Sequence, residues 1–163
     1  MHVTLRVLPH VWNLRSRRCF NAIAAAFAGV RGRNGFRLTD FSVQGNHLHL
    51  VVEAANAESL SRGLQAVAIR IAKRLNRVMR RRGTVFADRY HEHVLRTPSE
   101  VARALDYVLG NFAVHARRRG DWSADAEVDP YCSVSAEMRL GTGPPLVSEP
   151  RSWLLQVGWR LCA

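Results

Sequence analysis

Residues 47–53, HLHLVVE, place Leu48, Leu50 and Val52 on one side of an extended chain and His47, His49, Val51 and Glu53 on the other. This alternation predicts a half-buried strand. The same holds for 2–8 (HVTLRVL), which Pro9 ends, and for 36–44 (FRLTDFSVQ), with Gly45-Asn46 as the tight turn into the next strand. A fourth strand is expected within 84–95, TVFADRYHEHVL. Helical composition covers 17–31 and is punctuated by Gly32 and by Asn34-Gly35. A longer helix is predicted after Asn56 as N-cap, with Glu58 in its first turn and Leu60, Leu64, Val67, Ile71, Leu75 and Val78 as its apolar stripe. Gly83 is expected to stop it. Thr97-Pro98-Ser99-Glu100 has the cap, the first-turn proline and the closing glutamate of a capping box, so a further helix should run to about residue 118.

Strand, helix, strand, strand, helix, strand is the order of an α+β, ferredoxin-like (split βαβ) antiparallel sheet with two helices on one face. The other face is then open, and the last long helix is available to cross it. Residues 1–119 are expected to form this domain. Residues 120–163 read as an irregular C-terminal appendage with a linker at 141–145 (GTGPP) and a short helix within 151–159 (RSWLLQVGW).

Charge changes the picture. The 24 Lys+Arg outweigh 13 Asp+Glu, and a formal net charge of +11 favours an anionic partner, most commonly nucleic acid. Lys73 is the single lysine; arginine suits bidentate contact with phosphate. Arg62, Arg70, Lys73, Arg74 and Arg77 load the long helix, and Arg80, Arg81 and Arg82 follow at its end. Of these, Arg70, Lys73, Arg74, Arg77, Arg80, Arg81 and Arg82, together with Arg103 further on, are expected to grip a DNA backbone with an affinity that falls steeply with salt. The longest apolar run, 22–30, is too short to cross a bilayer, and the chain enters its first strand without a leader-like segment. Cys19, Cys132 and Cys162 are scattered, which fits neither a zinc knuckle nor a disulfide framework. A reduced cytoplasmic protein, monomer or homodimer, with no membrane partner, is the expectation.

The last helix carries candidate chemistry. Arg103, Tyr107, Asn111 and His115 recur every four residues as a polar ridge, while Val101, Leu105, Val108, Leu109 and Phe112 form the apolar side. Laid across the open face, this helix would set Tyr107 and Asn111 opposite His47 and His49. Two imidazole nitrogens and an amide oxygen suit Mg²⁺ or Mn²⁺, imidazole favouring Mn²⁺. A phosphodiester polarised there is open to attack by Tyr107, which would hold the chain as a phosphotyrosine. Because the imidazoles must be neutral to bind the ion, activity should fall below about pH 6.

A single His-x-His is weak evidence, and the chain holds a second one, His91-Glu92-His93, in a stretch polar on both sides. It reads as an exposed strand edge, with His91 supporting the metal ligands or touching DNA and His93 in solvent. Glu53 is a candidate extra ligand or orienter of an imidazole. It also completes a partial cupin pattern, which the long basic helix argues against, since cupins are all-β. Tyr90 is the rival nucleophile. An RNA-recognition fold has a similar open sheet but displays stacked aromatics where this chain has histidines.

NHLHLVVE, preceded by FSVQG, resembles the His-hydrophobic-His motif of the HUH single-strand endonucleases, and YVLGN (107–111) resembles their single-tyrosine catalytic helix. FADRYH (86–91), TPSEVARALDYVLGN (97–111) and the DPY…RSWLL…GW tail resemble the REP-associated branch of the insertion-sequence-200-like transposases. The branch often has proline where Phe112 stands, and CSVSAEMRLG follows Tyr131 in place of an aromatic-rich stretch. The resemblance implies a metal-dependent endonuclease and strand transferase acting on single-stranded, hairpin or palindromic DNA. It further implies Tyr107 as the nucleophile of a 5′-phosphotyrosine intermediate and His47, His49 and Asn111 as metal ligands. Two alternatives stand beside it: a non-catalytic nucleic-acid-binding module on the same fold, or a decayed transposase that binds DNA without cutting.

Overall fold

In chain order the elements are β1 (His2–Arg6), α1 (Arg17–Ala28), β2 (Phe36–Val43), β3 (His47–Ala54), α2 (Ala57–Val78), β4 (His91–His93), α3 (Pro98–Arg119), α4 (Ser133–Leu140), α5 (Trp153–Gln156) and a 3-10 helix over Gly158–Cys162. The structure is a computed structural model that describes residues 1–119, 129–140 and 145–162, with only the backbone of 111–119 and 137–140. The strands lie in the order β2-β3-β1-β4 with every neighbouring pair antiparallel, the expected split βαβ arrangement.

Alternation sorts the sheet into two faces. Val3, Leu5, Phe41, Val43, Leu48, Leu50 and Val52 are buried together with Phe20, Ile23 and Phe27 of α1 and Leu60, Leu64, Val67, Ile71 and Leu75 of α2. Each such side chain contributes about 1.5–3 kcal/mol of burial. Gly63 lets α2 approach closely, because a methyl group there would overlap the Phe36 ring. Asn56 caps α2 as expected, its side-chain oxygen accepting from the Ser59 amide at 2.8 Å.

The opposite face is crossed by α3, where Val101, Leu105 and Val108 join Val51 of β3 and Leu155 of α5 in a second apolar cluster. The predicted capping box starts this helix: the Glu100 amide donates to Thr97 Oγ1, and Glu100 Oε2 accepts from the Thr97 and Arg96 amides. Those two amide bonds hold the Glu100 carboxyl below its usual range.

Two stretches differ from expectation, and the fourth strand falls inside its expected window. Helix α2 ends at Val78, before Gly83, because Arg80 adopts the left-handed conformation (φ 51°) and the Arg81 amide closes on Asn76 O at 2.9 Å. Arg80, Arg81 and Arg82 therefore stand in the turn after the helix. Only His91–His93 of the window 84–95 forms a strand, while Val85 and Ala87 bond the end of β1 through the Leu8 amide and Arg6 O. Helix α4 arises in the segment after Tyr131 with no element foreseen for it; about two turns of mixed small, polar and apolar residues carry too short a period to read. Of the expected linker, 141–144 lie outside the described residues.

The tail is fastened by a buried ion pair. Arg15 donates through both terminal nitrogens to Asp129, at 3.0 and 2.9 Å, and lies 4.4 Å over the Tyr131 ring. The Asp129 side chain is fully buried and also accepts from Ser42 Oγ and the Tyr131 amide. Tyr131 O in turn accepts from the Val43 amide, and Ala136 and Leu146 join the main core. Asp129→Ala would strand a largely buried guanidinium, so urea unfolding should show a loss of about 3–5 kcal/mol. A loss below about 1 kcal/mol would mean that the pair is not what fastens the tail.

Candidate active site

Cross-strand partners share a face of the sheet, so the register alone gathers five of the chain's seven histidines on the side under α3. Thr4 of β1 stands opposite His49 on one side and His91 on the other, His2 opposite Val51 and His93, and Arg6 opposite His47.

His49 sits at the centre of the face and is only 4% exposed. Its Nε2 lies 3.0 Å from Nε2 of His47, and the two rings meet edge to face. His47 Nδ1 is 2.8 Å from the Asn46 side-chain oxygen, which assigns the proton to Nδ1 and leaves a lone pair on Nε2. On its far side, His49 Nδ1 faces His2 Nε2 at 3.1 Å and Thr4 Oγ1 at 3.2 Å.

Tyr107 comes down from α3 against this row. Its ring is edge-on to His49 at 4.9 Å between centroids and to His2 at 5.8 Å, yet the residue is 50% exposed. That placement follows from the helix: Val101, Leu105 and Val108 point into the second cluster, and Tyr107 falls on the flank beside them. A cavity of about 480 Å³ opens here, lined by His2, Thr4, His49, His93, Leu95, Glu100, Arg103, Ala104 and Tyr107. Arg103 is exposed and donates from Nε to Ser99 O at 3.2 Å. Tyr90, by contrast, packs against the main core and does not line the cavity.

The structure thus brings together His47, His49, Tyr107 and Arg103. Asn111 follows Tyr107 by one turn of α3, and its side chain, like that of His115, lies outside the described residues. Glu53 is a correction. It shares the histidine face, but its two carboxylate oxygens accept from the Arg151 and Ser152 amides, both at 2.8 Å, so its described bonds anchor the start of α5 rather than an imidazole. Burial would raise its pKa; the bonds from Ser152 and Arg151 and the charge of Arg37 outweigh that and lower it. His91 is exposed on β4 and does not line the cavity, whereas His93, expected in solvent, is exposed and lines it beside His2.

Arg70, Lys73, Arg74 and Arg77 ride on α2, which covers the other face of the sheet, so the sheet itself separates them from the histidines. Arg80 and Arg82 are exposed and Arg81 is half-buried in the turn after that helix. The sequence reading missed His2, Thr4 and Asn46. Their signal was present, since β1 alternates as β3 does and sets His2 and Thr4 opposite Val3 and Leu5. Among the described residues no group of three or more His, Cys, Asp or Glu is placed to hold a metal ion. None of their helices is long and apolar enough to cross a membrane.

No protein-family model matches the chain, and no curated protein matches it. Among solved structures, the chain is similar to a REP-associated tyrosine transposase bound to a REP hairpin, at a TM-score of 0.61 and 14% identity, over 93% of this chain and 86% of that one. A candidate transposase from Deinococcus radiodurans superposes at a TM-score of 0.48 with 12% identity, over 76% of this chain and 90% of the other. The first likeness shows that the chain has the transposase fold.

The site also bears on stability. Burial first, and the neighbouring His93 second, push His2 below the ordinary imidazole value of 6.5. The unfolded chain then takes up this proton before the folded one does, so the contribution is full above about pH 6.5 and is lost as pH falls below it. The thermal midpoint should therefore drop between about pH 7.5 and pH 5.5, and His2→Phe should lessen that drop. An identical drop in the variant would assign the effect to other groups.

Proposed function

We propose that this protein is a metal-dependent single-strand DNA endonuclease and strand transferase, a transposase that cuts hairpin or palindromic DNA through a 5′-phosphotyrosine intermediate. The observation that carries the reading is the meeting of Tyr107 with the paired imidazoles of His47 and His49 on the exposed side of the sheet. A half-exposed tyrosine held against a buried histidine beside an open cavity supports a chemical role over a packing one. The shared fold with a hairpin-bound tyrosine transposase supports the same reading.

The residues present fit a divalent ion. The Nε2 atoms of His47 and His49 stand 3.0 Å apart at the buried end of the site, and two imidazole nitrogens so close would suit one divalent ion. His47 and His49 would hold Mg²⁺ or Mn²⁺, with the amide of Asn111 as the third protein donor. Bound there, the ion would withdraw charge from a non-bridging phosphate oxygen as a Lewis acid.

The chain's own groups do the rest. The Tyr107 phenol oxygen attacks the phosphorus, and the bond from phosphorus to O3′ of the preceding nucleotide breaks. The phenolic proton is lost, O3′ gains one to become a free 3′-hydroxyl, and the 5′-phosphate stays on Tyr107. Attack by a 3′-hydroxyl on that linkage reverses the step and rejoins a strand without added energy. Arg103, lining the same cavity, would pair with phosphate oxygens during both steps. The arginines of α2 and of the turn after it would hold phosphates beyond the cut, as DNA passes round the edge of the sheet.

The test uses hairpin DNA labelled at its 5′ or 3′ end and incubated with the protein and Mn²⁺. A covalent protein–DNA adduct should form, disappear in Tyr107→Phe and persist in Tyr90→Phe. His47→Ala should abolish cleavage and leave hairpin affinity within about twofold, since phosphate contacts supply most of it. Tight hairpin binding with no adduct under any divalent ion would overturn the nuclease and leave a binding module.

A further inference from the structure

We infer that His2, seconded by Thr4, is a positioning residue that sets which nitrogen of His49 is presented to the metal. The inference rests on the metal site proposed above and concerns a side chain outside that ligand set.

His49 has a nitrogen on each side. Nε2 faces Nε2 of His47 at 3.0 Å, whereas Nδ1 faces His2 Nε2 at 3.1 Å and Thr4 Oγ1 at 3.2 Å. A neutral imidazole carries one N–H, so only one of the two nitrogens can offer a lone pair to an ion. For His49 Nε2 to do so beside His47, the proton must sit on Nδ1, and a proton there in a nearly dry environment needs an acceptor. His2 Nε2 and Thr4 Oγ1 both lie within reach as acceptors. His47 is arranged in the same way by a different partner, its Nδ1 donating to the Asn46 side-chain oxygen. Each imidazole of the pair thus has its outer nitrogen engaged and its inner nitrogen turned to a common point.

His2 is not itself a ligand, because its nitrogen meets the far side of the His49 ring. Its own position is fixed by pairing opposite Val51 and His93 and by the edge of Tyr107 at 5.8 Å. One side chain therefore touches both the ring that would bind metal and the ring of the proposed nucleophile. Loss of such an outer partner commonly weakens metal affinity by about 10–100-fold.

The experiment is calorimetric titration of Mn²⁺ into the full chain without DNA, so that no catalytic turnover enters the readout. His2→Phe keeps an aromatic ring beside Tyr107 but offers no acceptor, and should weaken Mn²⁺ binding by about 10–100-fold. His2→Gln, whose amide oxygen accepts, should recover most of that loss, and Thr4→Val should show a smaller one. Circular dichroism identifies the folded variants, and His2→Gln with Thr4→Val carries the test if His2→Phe does not fold. Wild-type uptake that His2→Phe leaves within twofold, or an equal loss in His2→Phe and His2→Gln, would overturn the positioning role alone. A wild type that takes up no Mn²⁺, or whose uptake survives His47→Ala, would overturn the metal site and this inference with it.

Discussion

The pairing of β1 with β3 is the constraint on which the rest of the molecule depends. In that register Thr4 stands opposite His49 and Leu5 opposite Leu48, so both strands turn their apolar residues to one side and their imidazoles and hydroxyl to the other. A slip of one residue would carry Leu48, Leu50 and Val52 out of the core and His47 and His49 into it. The core and the candidate site are therefore two sides of one decision. Whatever burial drives Leu48, Leu50 and Val52 under α1 and α2 also delivers the histidines to the opposite face at no separate cost.

A face of polar groups does not attract a helix, and α3 is held over it by modest means. Val51 is the apolar residue that β3 contributes on that side, and Val101, Leu105 and Val108 close on it together with Leu155 of α5. Glu53, two residues on along the same face, fixes the start of α5 through the Arg151 and Ser152 amides. The helix that brings Tyr107 to His49 is thus wedged between sheet and tail, and the tail is pinned at its other end by Arg15 and Asp129. The tail belongs to the mechanics of the site even though its described residues do not line the His49 cavity.

This explains what was legible in the sequence and what was not. Periodicity names the face of a residue on its own element, so the six leading elements, the capping box at Thr97 and Glu100 and the exposed side of α3 at Arg103 and Tyr107 were all readable. It does not say where along a face a neighbour will dock. Glu53 read as support for an imidazole, and a tail without visible period took it instead. His93 read as solvated and is exposed, but the pairing of β4 with β1 that also sets it beside His2 was not readable. The same limit applies to charge. The arginine count pointed to an anionic partner without saying where it lies, while the expected topology already set α2 and the histidines on opposite faces of the sheet, as they are in the fold.

Acidic and basic residues divide their labour, and the division sharpens the meaning of a net charge of +11. Asp129, Glu53 and Glu100 all face backbone amides, and Asp129 a guanidinium as well, so these carboxylates serve as internal anchors. Their fields are partly cancelled by the N–H dipoles they accept from. Of the arginines expected to touch DNA, Arg70, Arg77, Arg80, Arg82 and Arg103 are exposed. The outward field is therefore more one-sided than a simple tally of charges suggests, and it extends over both faces of the sheet. A small anion would need one pocket with converging cations; positive charge spread round the sheet, with the histidines and Tyr107 on one side, suits a long polyanion that is gripped broadly and approached chemically at one point.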